Sequence, residues 1–318
     1  MPQVSIIVPN YNHAPYLRQR LDSIFNQTYQ DFEVIILDDC STDNSKEIIE
    51  EYHNRPQVSH VVYNETNSGS PFKQWAKGFE LAKGEYIWIA ESDDWAELKF
   101  LSTLVPVLEN NPNVAIAFCN SLWISPLSHK KSDVFSTDKL IKGSIFFNKY
   151  MATKNSICNA SSAIFRKKNL KKINPYYQSF FGCGDWLFWI EHCWLGDIFY
   201  SNQTLNNFRQ FGDGATIRNE KTGNAYKEHL LIYRYLKTKR KLSFFKKHCV
   251  ATFYITFKEK YPHLFQSHPE IFQYVQDEWR KEIWCPTLSR LYVDFMYILW
   301  SIKSFVYVKI GKNPGTFF

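Results

Sequence analysis

The sequence predicts an α/β fold in which an open, mostly parallel sheet is covered by helices, followed by a helical C-terminal extension. Over the first 120 residues, short apolar runs of strand length alternate with segments whose apolar residues have helical spacing. The connections are short, and two clusters of carboxylates each stand directly after an apolar run. In open sheets of this kind ligands sit beyond the carboxyl ends of the strands. Acidic clusters some fifty residues apart can therefore converge on one crevice.

The elements follow in order. Residues 4–9 form an apolar run typical of a strand buried on both faces. Asn10-Tyr11-Asn12-His13 reads as a loop, and Leu17, Leu21, Ile24 and Phe25 mark one face of a helix. A turn at 27–31 leads into a second strand at 32–37, which ends on Asp38-Asp39. Ser41-Thr42-Asp43 supply side-chain oxygens to cap a helix running through Tyr52. A third strand spans 58–63, and a polar stretch covers 64–70. A helix at 72–82 stops at Lys83-Gly84. The fourth strand, 85–90, runs into Glu91-Ser92-Asp93-Asp94, and a helix at 98–108 and a strand at 114–120 complete the series. Beyond residue 120 the pattern thins to a strand at 158–165, a helix at 186–194 and extended segments at 198–209. Gly212-Asp213-Gly214 through Gly223 reads as a linker, and the remainder as helices.

Composition bounds the class. Of 318 residues, 45% are hydrophobic and 22% charged, which describes a folded globular chain rather than a disordered one. Aromatics reach 17% and crowd the second half, either as core packing or as a carbohydrate or membrane face. The net charge of +7 is uneven, because the acids gather before residue 110. Lys237, Lys239, Arg240, Lys241, Lys246 and Lys247 cluster later, as a solvated helix face or as a contact for an anionic membrane or phosphorylated acceptor. No nucleic-acid partner is expected. Seven scattered cysteines without a CxxC pair exclude a zinc ribbon and fit free thiols in a reducing compartment. The nine histidines show no zinc spacing. The first residues lack a leader pattern and no window of about 20 apolar residues is free of charge, so a cytoplasmic protein is expected.

Two acidic clusters carry the chemistry. Glu91, Asp93 and Asp94 place three carboxylates in four residues, oxygen ligands of the kind magnesium and manganese prefer. On an extended segment Glu91 and Asp93 would point the same way. A solvated acidic turn is the alternative. Asp38-Asp39 can accept hydrogen bonds from a base or a ribose, or simply supply charge to the following helix N-terminus. Lys73 or Lys77 can approach a diphosphate, or serve as a surface helix lysine.

Four ordered blocks carry a resemblance. They are Val4-Ser5-Ile6-Ile7-Val8-Pro9-Asn10-Tyr11-Asn12, Leu21-Asp22-Ser23-Ile24 with Gln27-Thr28-Tyr29, Asp31 through Asp43, and Ala82-Lys83-Gly84-Glu85-Tyr86-Ile87 leading to Glu91-Ser92-Asp93-Asp94. Together they resemble family 2 glycosyltransferases, closely over residues 3–120 and patchily to about 215. The resemblance implies a GT-A fold, a nucleoside-diphosphate sugar donor (UDP above all), Mn2+ or Mg2+, and inversion at the anomeric carbon. It implies a catalytic domain over 1–215, with a nucleotide-sugar half at 1–120, an acceptor half at 121–215 and an extension at 216–318. Pro9 and Tyr11 match positions bordering the nucleotide, and Asp39 the carboxylate that reads the base. Asp93 matches the metal-binding acid of a DxD pattern, Glu91 replaces its first Asp, and Asp94 is the next candidate for metal or ribose.

For the general base that an inverting transfer needs, the resemblance implies Asp185 in Gly182-Cys183-Gly184-Asp185-Trp186. Trp186 is placed to stack on an acceptor sugar. Read without the resemblance, Asp185 is a helix N-cap. One departure stands out. Relatives carry Arg-x-His late in the domain, whereas this chain has Arg209-Gln210-Phe211, so Phe211 stands in place of a metal-completing histidine and Arg209 is left for phosphate. The Gln-x-x-Arg-Trp block of processive synthases is missing, which favours single additions.

Two other functions compete. A sugar nucleotidyltransferase would open with a glycine-rich loop, and Asn10-Tyr11-Asn12-His13 has no glycine. A non-catalytic binding protein would need Asp39 but not Asp93 or Asp185. A glycan or lipid-linked acceptor in surface polysaccharide synthesis is implied by resemblance alone. Residues 291–310, rich in Trp, Tyr and Phe, either lie in a membrane interface at the inner face of the plasma membrane or pack on protein.

Overall fold

The computed structural model describes residues 1–210 except Leu127, Asp133 and Cys158, then 219, 222–239, 241–243, 246–247, 250–254, 268–282, 287, 291 and 295. The chain divides into two compact units, Met1–Met151 with Asn155–Gly212, and Ala152–Lys154 with Asp213–Phe318.

The first unit opens with three strand–helix repeats. They are β1 (Val4–Asn10), α1 (Ala14–Phe25), β2 (Phe32–Asp38), α2 (Ser45–His53), β3 (Val58–Tyr63) and α3 (Pro71–Leu81). Next come β4 (Tyr86–Ile89), β5 (Trp95–Ala96), α4 (Phe100–Asn110) and β6 (Val114–Ile124). Then β7 (His129–Lys131), β8 (Lys139–Ile141), α5 (Gly143–Phe146), β9 (Ala163–Arg166), α6 (Gly184–Cys193) and β10 (Asp197–Arg209) close the unit. The sheet order is β3-β2-β1-β4-β9-β6-β10-β5, with β7 on β6 and β8 on β10. The half containing β3, β2, β1 and β4 is parallel throughout. Beyond it the sheet is mixed rather than mostly parallel, because β9 enters antiparallel between β4 and β6. Short 3-10 turns at Ala160–Ser162 and Lys167–Lys172 flank β9, so no crossover helix turns it parallel. The expected strand at 158–165 thus begins later, and Cys158 lies outside the described residues.

Register places the chemistry. Asn10 pairs with Asp38, and Ile7 with Ile89, so the carboxyl ends of β1, β2 and β4 lie side by side. The segments after β2 and β4 therefore leave the same sheet edge. Helix α1 covers this sheet with the stripe Leu17, Leu21, Ile24 and Phe25, in which Arg20 is also buried. Helix α3 packs so closely on β1 that a Cβ on Gly78 would stand 2.5 Å from Ile7 Cγ2.

Helix α6 is buried along its whole length except at Asp185. His192 on this helix is fully buried, its Nδ1 lying 3.0 Å from the Phe188 carbonyl. Burial pushes its pKa down to about 4. The folded state holds the imidazole neutral, while the unfolded chain takes up a proton below about pH 6.5. Stability is therefore complete above that pH and falls as the pH drops toward 4, by about 3 kcal/mol for this group. Urea unfolding at pH 7.5 and pH 4.5 should show a smaller loss in His192→Phe than in the parent; equal losses would place the acid sensitivity elsewhere.

In the second unit α7 (Asn224–Thr238) and α8 (Pro269–Arg280) meet through Tyr233 and Trp279, whose ring centroids are 4.9 Å apart. Arg234 reaches Glu278 at 2.5 Å, and Lys237 pairs with Glu282. One lysine of the basic cluster is thus committed to a carboxylate, while Arg240 lies outside the described residues. The expected linker and the segment 291–310 also lie outside them, apart from Asn219, Thr222, Gly223, Leu291 and Phe295. No helix among the described residues is long and apolar enough to cross a membrane. Among the described residues, Cys40, Cys119 and Cys193 are free cysteines.

Candidate active site

The first wall of the site is the edge of β1 and β2. Asn10 Nδ2 donates to Asp38 Oδ1 at 2.8 Å, and Ser41 donates its backbone N–H and hydroxyl to the same carboxylate at 2.9 and 2.6 Å. Asp38 is therefore spent on shaping the loops. Asn12 and Cys40, with φ of 55° and 64°, take left-handed backbone in these two loops. The buried Asp39 carboxylate accepts from Asn64 at 2.6 Å, Gln74 at 2.7 Å, and the backbone N–H and hydroxyl of Ser68 at 2.9 and 2.7 Å. Asp39 stands at the strand edge that the sequence assigns it and organises the segment 64–70. Lys73 donates to the Ser68 carbonyl at 2.9 Å and Lys77 to Asn64 Oδ1 at 2.7 Å, so both ammonium groups also tie down that segment. Tyr11 is exposed at the rim, whereas Pro9 is buried within β1 beside Leu37.

The second wall is the acidic turn after β4. Asp94 N–H donates to the Glu91 carbonyl at 3.2 Å, so the segment closes into a turn. The expectation of an extended run with alternating side chains does not hold there. Its three carboxylates have different fates. Glu91 accepts from the Trp75 indole at 2.8 Å. Asp94 is fully buried and accepts from Asn159 at 2.8 Å, Ser161 at 2.7 Å and the Arg209 backbone N–H at 3.1 Å. That set leaves Asp94 bracing the turn instead of facing a ribose or a metal. Among the described residues no other side chain hydrogen bonds to the Asp93 carboxylate. His13 Nδ1 lies 2.8 Å from Ser92 Oγ, which joins the loop after β1 to this turn.

Charge crowds this turn. Burial pushes the Glu91 pKa up to about 8 and that of Asp94 up to about 7, with repulsion from Asp93 adding to each. Asp93 is raised by burial too, against the pull of Arg20 and Arg209. Arg209 Nη1 donates to the Asp93 carbonyl at 2.5 Å. Its guanidinium lies 4.3 Å from the Trp95 ring centroid and 4.7 Å from that of Tyr16. Desolvation lowers the Arg209 pKa.

A further candidate carboxylate lies in the first turn of α6. Asp185 accepts from the Trp186 backbone N–H at 2.7 Å and from Asn155 Nδ2 at 2.8 Å. Asp185 is thus not the N-cap, a position that Cys183 takes without a side-chain cap bond; it lies within the first turn, its residue partly open to solvent. Trp186 differs from expectation. It is 4% exposed and its indole N–H donates to the Met151 carbonyl at 2.8 Å, so it offers no face to a sugar. The exposed aromatics nearby are Tyr176 and Phe181. Ser70 Oγ reaches the Phe180 carbonyl at 3.4 Å, linking the segment organised by Asp39 to the stretch leading to Asp185.

Sequence reading missed Arg20 and the supporting pair Asn159 and Ser161. The one available signal was a charged residue on the apolar stripe of α1. Among the described residues, no three His, Cys, Asp or Glu side chains are grouped to hold an ion unaided. Magnesium is commonly held by one or two carboxylates plus substrate phosphates, and Glu91 with Asp93 fits that donor set. Phe211 lies outside the described residues.

Comparisons with known proteins bear on the family and the fold. The model of the family described as Glycosyl transferase family 2 matches residues 5–173. Glycosyltransferase GlyG of Streptococcus pneumoniae is 39% identical over 114 residues, covering 36% of this chain and 38% of GlyG. The poly(ribitol-phosphate) β-N-acetylglucosaminyltransferase TarS of Staphylococcus aureus is 34% identical over 113 residues, covering 35% of this chain and 20% of TarS. The matched segments thus span less than half the length of these relatives. Among solved structures, S. aureus TarS 1–349 in complex with UDP-GlcNAc superposes with a TM-score of 0.65 at 19% identity, covering 89% of this chain and 79% of that one. A Pyrobaculum calidifontis mannosyltransferase in complex with GDP-Man and Mn2+ gives a TM-score of 0.51 at 16% identity, covering 88% of this chain and 74% of that one. These likenesses establish the fold.

Proposed function

Because the chain belongs to glycosyltransferase family 2, we propose that it moves a sugar from a nucleoside-diphosphate donor to an acceptor hydroxyl. The donor is a UDP-sugar, the acceptor a glycan or lipid-linked glycan of a cell-surface polysaccharide, and the anomeric carbon is inverted. The observation that carries this reading is the contrast among three neighbouring carboxylates. Asp94 is enclosed by donors and Glu91 is held by Trp75, while Asp93 takes no hydrogen bond from another side chain among the described residues. UDP is favoured by the TarS complex with UDP-GlcNAc.

Asp39 sits where it can exchange Ser68 for a base or ribose donor. Glu91 and Asp93 would hold Mn2+ or Mg2+ together with the diphosphate. A bound divalent cation supplies the positive charge that a departing diphosphate needs. Arg209 ties the acidic turn through its backbone N–H to the Asp94 carboxylate and its guanidinium to the Asp93 carbonyl. Asp185 acts as general base. The acceptor oxygen forms the bond to the anomeric carbon as the bond from that carbon to the diphosphate oxygen breaks, and the hydroxyl proton passes to Asp185. Attack from the face opposite the leaving group inverts the centre.

With Trp186 buried, the aromatic face offered to an acceptor is that of Phe181, which is 37% exposed four residues before Asp185. Phe181→Ala should raise the acceptor KM roughly three- to tenfold, the size of one stacking contact, and leave donor KM unchanged. An unaltered acceptor KM would remove Phe181 from this role.

Release of UDP on incubation with a panel of UDP-sugars and manganese tests the class. Turnover of at least one UDP-sugar, without product from a nucleoside triphosphate plus a sugar 1-phosphate, is the expected result. The reverse pattern would identify a sugar nucleotidyltransferase.

A further inference from the structure

We propose that Arg20 is a built-in counter-charge of the acidic turn and makes cation binding there depend on the donor's diphosphate. The proposal rests on the reading of Glu91 and Asp93 as the cation-holding pair.

Arg20 occupies an apolar stripe position of α1 and is 0% exposed. Its Nε donates to the Glu91 carbonyl at 2.8 Å, Nη2 lies 3.8 Å from Asp94 Oδ2, and the guanidinium lies 5.6 Å from the Trp88 ring centroid. Neither Nη1 nor Nη2 has a hydrogen-bond partner among the described residues. A buried guanidinium with two unmatched nitrogens is a costly way to fill such a position, since an apolar side chain of similar volume would pack there without desolvating a charge. What the arginine adds is its charge.

That charge faces a specific balance. Glu91, Asp93 and Asp94 bring three carboxylates to one turn, and Arg20 and Arg209 bring two fixed cations to it. The turn therefore holds at most one net negative charge. Arg209 is half-buried and reached from the rim, whereas Arg20 is enclosed beneath the turn. A divalent cation meeting this turn alone gains little attraction, because two neighbouring cations oppose it. A diphosphate adds negative charge on the open side and shifts the balance toward binding. Donor and cation therefore bind as one unit, and the chain without nucleotide stays largely cation-free. Arg20 acts through the carboxylates and is a positioning residue.

Mn2+ binding to the full chain, followed by the electron paramagnetic resonance of the free ion, tests this directly. The parent should bind Mn2+ weakly alone and much more tightly with UDP. Arg20→Met should bind Mn2+ without UDP on the order of tenfold more tightly than the parent, and the gain made by UDP should shrink by a similar factor. Arg20→Lys, which keeps the charge, should behave like the parent. Equal Mn2+ affinity of folded Arg20→Met and parent would overturn the proposal and leave Arg20 as packing. If Arg20→Met does not fold, Arg209→Met removes the other cation and should shift nucleotide-free Mn2+ affinity in the same direction; no shift overturns the proposal. If the parent binds UDP but no Mn2+ under either condition, the cation assignment to Glu91 and Asp93 fails, and the role of Arg20 with it.

Discussion

Asp93→Asn should abolish measurable transfer and weaken donor binding. Of the three carboxylates in the turn after β4, Glu91 is held by the Trp75 indole and Asp94 is enclosed by Asn159, Ser161 and the Arg209 backbone. Asp93 takes no hydrogen bond from another side chain among the described residues, and on the proposed reading it meets the cation together with Glu91. Asparagine keeps the volume and one oxygen but removes the charge, so the turn loses its margin of negative charge over Arg20 and Arg209. Charge stabilisation of the leaving group by a held cation amounts to several kcal/mol. A loss of about 4 kcal/mol corresponds to roughly a 10³-fold fall in kcat/KM. Steady-state kinetics on a UDP-sugar, with circular dichroism to verify folding, checks it. A folded Asp93→Asn protein with kcat/KM within a few-fold of the parent would remove Asp93 from the site.

The second large effect is at Asp185. Its carboxylate is positioned twice, by its own helix N-terminus through Trp186 N–H and by Asn155. It is also the residue of α6 left outside the buried set. A positioned general base contributes on the order of 10²–10⁴ in rate, so Asp185→Asn should lower kcat by that factor. Asparagine can still accept from Trp186 N–H, so the helix start and the donor site should persist, with donor affinity unchanged. A variant that loses donor affinity yet keeps its turnover at saturation would move Asp185 into the donor site.

Much of this was legible in the chain. The alternation of apolar runs and helical spacing over the first 120 residues corresponds to β1 through β6, because a parallel half-sheet buried on both faces requires near-continuous apolar strands. The convergence of the Asp39 edge with the Glu91–Asp94 turn followed from topology alone, since both leave the same ends of adjacent parallel strands. The second half of the sheet was harder to read. Strand β9 is four residues long, β5 is two, and β9 runs against its neighbours; such pairings are set by distant partners rather than by local pattern.

Individual side chains failed for a similar reason. Trp186 beside a candidate base reads as a sugar platform, yet α6 is buried nearly all round and its indole has an internal partner. Asp94 reads as a third ligand, yet Asn159 and Ser161, some 65 residues away in sequence, enclose it. Arg20 stands on the apolar stripe of α1, yet nothing local reveals that a carboxylate turn some seventy residues later closes over it.

The central claim is that the Asp39 edge and the Glu91–Asp93 turn form one donor site that closes around a cation. Calorimetric titration of the full chain with UDP-GlcNAc, once in manganese and once in excess EDTA, tests it most directly. The account predicts saturable binding in manganese that is lost in EDTA. Equal affinity in both would contradict it.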